Sequence, residues 1–154
     1  MKLEKLYHDS RISVNQLPKG LWVYLPRSKS DNETVERLRA LSKEEIKPLL
    51  PFLLSWVQDM NWPISSAMSG VLVSAEDYVV PEVEWVLSGK DDIWKANCIR
   101  CVLLDLRIDY IIHLLPILKR IAHRPTEGEK EEEADDDAKA CIEYIEKEGA
   151  NQAR

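Results

Sequence analysis

Cys98 and Cys101 form C-x-x-C, the spacing at which thiol redox chemistry or zinc ligation starts. A redox pair wants that spacing at a helix N-terminus beside a βαβ pattern, and a zinc site wants a second pair. Here the surroundings, IWKANCIRCVLL, are apolar and mid-helix, and there is no second pair. Core packing is the reading, since free cysteine is among the most buried residue types. His8, His113 and His123 are scattered, with no H-x-x-x-H or H-E-x-x-H. His113, inside YIIHLLPIL, reads as a single buried, hydrogen-bonded histidine. G-x-S-x-G is absent, and the five glycines build no phosphate-cradling loop. No catalytic residue, metal ligand or cofactor is assigned.

The candidates left are polar and aromatic residues at turns. Asp59, Asn61 and Trp62 lie in DMNWP, and Asp91, Asp92, Trp94 and Lys95 in DDIWK. Each acid or amide could meet a ligand or a basic partner. Each could equally cap a helix, which is worth about 1 kcal/mol. Trp62 and Trp94 read first as stacking residues and second as recognition aromatics.

Charge narrows the function classes. From Pro125 onward eleven acids face four bases, whereas the first 124 residues hold sixteen acids and seventeen bases. A nucleic-acid binder needs a basic surplus to release counterions, and this chain has none. No apolar run reaches the roughly 18 residues of a membrane span. No apolar segment follows the basic residues of MKLEKLYHDSR, so no secretory signal is expected. Three cysteines give no disulfide framework, and the cytoplasm is the expected compartment.

The elements that must position these turns are helical. Leu3, Leu6 and Tyr7 suit one side of a short helix, while LWVYLP at 21–26 is expected to be extended. DNETVERLRAL opens on acids and carries bases later, as a helix dipole favours. Ser42 and Glu45 form a capping-box pattern, with apolar spacing onward to about Gln58. Pro48 and Pro51 imply that this helix is kinked or starts later than the box suggests. Further helices are expected from Pro63 to Val73, from Val79 to Leu87, after Asp91 or Asp92, and through RIDYIIHLLPILKRIAHR. The last, apolar nearly all round, should be buried. PTEGEKEEEADDD reads as a mobile linker, followed by an amphipathic helix on Ala138, Cys141, Ile142 and Ile145.

LLPFLLSWV, VVPEVEWVL and LLPILKRIA place Pro51, Pro81 and Pro116 in one local setting, thirty and then thirty-five residues apart. That period with two helices per unit marks an α-solenoid, in which stacked pairs share one core.

The stretches LPRSKSD, LLPFLLSWVQDMNWP, the segment around Pro81 and DDIWK, spanning Tyr24 to His123, resemble a small, mostly bacterial family catalogued as domain of unknown function 5071. The resemblance implies a compact HEAT-like helical repeat and no established activity. The ANCIRC segment after Lys95 departs from the aromatic character the family would supply there.

The sequence therefore predicts an all-α fold, a short right-handed stack of helix pairs (a HEAT-like α-α superhelix). An extended arm occupies 1–30, the repeat 31–124, and an acidic linker with an amphipathic helix 125–154. The expected function is non-enzymatic protein binding, more specifically immunity- or antidote-like masking of a basic partner. The rivals are an enzyme using the turn carboxylates and a nucleic-acid binder with a stripe of Arg37, Arg39, Lys43 and Lys47. Oligomeric state is left open.

Overall fold

The computed structural model describes residues 3–152, so positions 1, 2, 153 and 154, the ends of the expected arm and tail, lie outside it. Among the described residues every regular element is helical. The chain divides into two compact units, one ending at Glu82 and the other starting at Val83.

In the first unit, α1 (Leu3–Leu6) sends Leu3 and the following Tyr7 into the core. Ser13 caps a 3-10 turn at Val14–Gln16 by accepting from the Asn15 N–H. LWVYLP is not extended. It belongs to a 3-10 segment, Lys19–Tyr24, closed by Leu21 N–H to Pro18 O and Leu25 N–H to Trp22 O. Among the described residues there is no strand for it to pair with, so its backbone groups are satisfied locally. The expected extended arm is instead part of this unit's core, with Val14, Leu17 and Leu25 all buried.

Asp31 caps α2 (Asn32–Arg39) through the Thr34 N–H. The capping box forms, with Ser42 and Glu45 satisfying each other's orphan amides at the start of α3 (Lys43–Ile46). A 3-10 turn (Lys47–Leu49) leads into α4 (Leu50–Leu53), and another (Leu54–Val57) ends the rod. The prolines thus neither kink one helix nor delay it: the chain restarts a helix at Leu50, with Pro51 second in it. After the DMNWP turn comes α5 (Ser65–Ser74), which begins two residues beyond Pro63. A 3-10 turn (Glu76–Val79) then opens α6 (Val80–Leu87), within which the boundary between units falls.

The second unit continues with α7 (Asp92–Cys101), α8 (Ile108–Ile111), α9 (Leu115–His123), α10 (Glu127–Glu131) and α11 (Ala134–Gln152). RIDYIIHLLPILKRIAHR is broken by a 3-10 turn at Ile112–Leu114, and Ile112 is 49% exposed, so it is not one buried rod. His113 is exposed too, 3.6 Å from Glu84. The acidic segment expected as a mobile linker is helical. Thr126 and Glu129 form a second capping box at α10, and α11 packs on α7 and α9 through Ala134, Ala138, Cys141, Ile142 and Ile145.

Pro51, Pro81 and Pro116 share one backbone setting. Each is the second residue of an α-helix that directly follows a 3-10 turn. At that position the amide has no intrahelical partner, so proline removes no bond. Their burial differs: Pro51 is buried, Pro81 and Pro116 exposed.

Candidate functional site

The candidate residues fall into two turns, one per unit. In DDIWK, Asp91 Oδ1 accepts from the Trp94 N–H at 3.0 Å, which caps α7. Lys95 is 3% exposed, and its Nζ lies 3.0 Å from both Asp92 Oδ1 and Glu129 Oε2. Glu129, fully buried, also accepts from Arg120 Nη2 at 2.8 Å and from the Thr126 N–H at 2.8 Å. Burial alone would raise the Glu129 carboxyl. The Arg120 guanidinium, the Thr126 amide and the Lys95 ammonium outweigh it and hold the carboxyl down at about 2. A Cβ on Gly128 would run into the Asp92 carboxylate, so a larger residue there would push that side chain aside. Trp94 is buried with its ring edge-on to Trp85, 5.9 Å between centroids. Two cations and two carboxylates here neutralise one another. Sequence reasoning missed Arg120, Gly128 and Glu129. The T-E-G-E pattern at 126–129 was the available signal, masked by the charge run around it.

The DMNWP turn is open. Asp59 Oδ1 accepts from the Asn61 N–H at 2.8 Å, an Asx turn that leaves Asn61 exposed. Trp62 is partly exposed, its ring edge-on to Trp56 with centroids 5.6 Å apart. Trp56 Nε1–H donates to the Tyr7 hydroxyl at 2.9 Å, and that hydroxyl donates to the Pro26 carbonyl. Desolvation pushes the Tyr7 phenol well above its ordinary range, so it stays a donor. Leu6, His8, Asp9, Trp56, Gln58 and Trp62 line a cleft of about 270 Å³ here. His8 Nδ1 faces the Lys5 carbonyl at 2.9 Å and Nε2 faces Asp9 at 3.0 Å. A second hollow in this unit, about 480 Å³, lies among Pro18, Pro48, Pro51, Pro81 and Tyr78. Its Arg11 and Glu82 are tied to each other by a two-pronged ion pair.

The remaining motifs are structural. Cys98 and Cys141 are buried. Burial pushes the Cys98 thiol well up and the Cys141 thiol to about 12, so neither is a thiolate nucleophile. Among the described residues no group of three or more His, Cys, Asp or Glu could hold a metal. Arg37, Arg39 and Lys43 pair with Glu33, Glu36 and Glu76, and Lys47 stands over the Tyr78 ring.

These features define an all-helical protein with one open aromatic turn and one turn sealed by ion pairs. Residues 24–142 match the family described as a domain of unknown function (DUF5071), and the chain belongs to it. The match runs past His123, so it takes in Glu129 and the first half of α11. No curated protein matches the chain.

Proposed function

We propose that this chain is a non-enzymatic protein-binding module of the cytoplasm that masks a basic partner, as an antidote or immunity protein does. The observation that carries this reading is the distribution of exposed acid. Glu127, Glu131, Glu132, Glu133 and Asp136 all face solvent around α10 and the start of α11. The second unit has sixteen acids to eleven bases, the first eleven to ten. Such a surface steers a basic partner and rejects acidic ones. The proposed architecture is a short right-handed stack of HEAT-like helix pairs, supported by the junction repeated at Pro51, Pro81 and Pro116. The enzyme reading has less behind it, because Asp59, Asp91 and Asp92 each serve a local bond. The nucleic-acid reading has less as well, because acids match three of the four cations in its stripe.

Purification from the native cell with cross-linking should recover one stoichiometric basic protein joined to residues 127–136. The triple variant Glu131→Lys, Glu132→Lys, Glu133→Lys should weaken that complex by at least about tenfold at low salt. An acidic partner, or an unchanged affinity in the triple variant, would overturn the proposal.

A further inference from the structure

We propose that residues 125–133, with α10 at their centre, form an ionic strap that opens and closes as one unit on α7 and α9, pinned shut by the Glu129 carboxylate. The strap carries part of the acidic face described above, but the inference needs no partner and stands whether or not that face binds one.

Three observations set the strap apart from the core around it. First, among the described residues, which include all of α10, Glu129 is the one residue of that helix that is buried, and EGEKE has no apolar side chain. The neighbouring α11 differs, since it buries Ala138, Cys141, Ile142 and Ile145. Lifting α10 therefore takes no apolar side chain of its own into water. What it breaks are the charge-assisted bonds that Glu129 accepts from Lys95 Nζ at 3.0 Å and Arg120 Nη2 at 2.8 Å.

Second, both sides of that break keep other partners. The capping box of Thr126 and Glu129, the Lys130 N–H to Thr126 O bond and the Glu132 N–H to Gly128 O bond all lie inside the strap, so it can lift as one body. On the other side Lys95 keeps Asp92 at 3.0 Å, and the Arg120 side chain is already one-third exposed. Opening strands no buried charge, the condition under which a broken ion pair is most costly. Third, the strap ends at Glu133, whose φ of 61° is left-handed and strained for an L side chain. Opening relaxes that residue. What the strap moves is charge: the exposed Glu127, Glu131 and Glu132 travel with it.

The test is native-state hydrogen exchange of the full chain, followed by NMR at increasing denaturant. The Glu129, Lys130 and Glu132 amides, each bonded inside the strap, should open together. They should do so at least about tenfold more often than the Ile142 amide of α11, with a shallower dependence on denaturant. Ile145→Val, a core change on α11, should lower the protection of Ile142 about threefold and leave the three strap amides unchanged. Arg120→Gln should speed exchange at the strap amides about tenfold. Strap amides that open only with Ile142, at its frequency and denaturant slope, would overturn the proposal. So would a loss of strap protection in Ile145→Val, or strap exchange unaltered in Arg120→Gln. Should Arg120→Gln fail to fold, the natural chain and Ile145→Val decide the matter.

Discussion

DMNWP and DDIWK look alike as sequence. Each puts acids or an amide just before a tryptophan at a helix start, yet the two turns end in opposite states. In the second unit α10 closes over the turn, Glu129 reaches Lys95, and Trp94 is buried. In the first unit Trp62 stays partly exposed, and the turn keeps a cleft beside it. The lesson is that a turn motif acquires its role from what covers it. A buried lysine with two carboxylates is the mark of closure.

The comparison can be broken first at the closed turn. Glu129→Gln should cost about 3–5 kcal/mol, because it strands Lys95 and Arg120 without their shared carboxylate. Denaturant unfolding would show it, and a loss below 1 kcal/mol would mean the cluster is not structural. The same carboxyl sets an acid limb. Its folded pKa of about 2 lies below the unfolded carboxylate range, so its stabilisation is complete above that range and is lost as pH falls towards 2. Thermal melts across that window should flatten in Glu129→Gln.

Tryptophan truncation contrasts the two turns directly. Trp94→Ala should cost about 3–5 kcal/mol, and Trp62→Ala less than half of that. Comparable losses would contradict the assignment of one turn as core and the other as surface. Gly128→Ala should cost about 1–2 kcal/mol, since the new methyl displaces Asp92 from Lys95, and adding Asp92→Ser should recover part of the loss. The smallest effect concerns two glutamates with left-handed backbone, Glu76 at φ 54° and Glu133 at φ 61°. Glu133→Gly should gain about 1 kcal/mol by relieving that conformation. Glu76→Gly should gain less, because Glu76 also pairs with Lys43.

Much of the local structure was legible because its causes are local. Asp31, Ser42 and Asp91 each accept from an amide three residues on, as a capping residue must. The matched setting of the three prolines was legible for the same reason. The 3-10 path of Lys19–Tyr24 was not, because strand propensity describes a residue that has a sheet to join. The tail was misjudged for a related reason. Like charge in sequence predicts disorder only when the charges stay in water, and here one of them is buried against a lysine and an arginine.

The sequence by itself determined the caps at Asp31, Ser42 and Asp91, which turns carry acids and tryptophans, and that no ready-made catalytic motif is present. Only the tertiary structure decided which turn is sealed and which is open. Lys95 and Glu129 are thirty-four residues apart, and so are brought together by the packing of α10 and α11 rather than by any local preference. Capping energies act within one turn of chain, whereas burial and ion pairing act through space, and a linear pattern holds no record of the second.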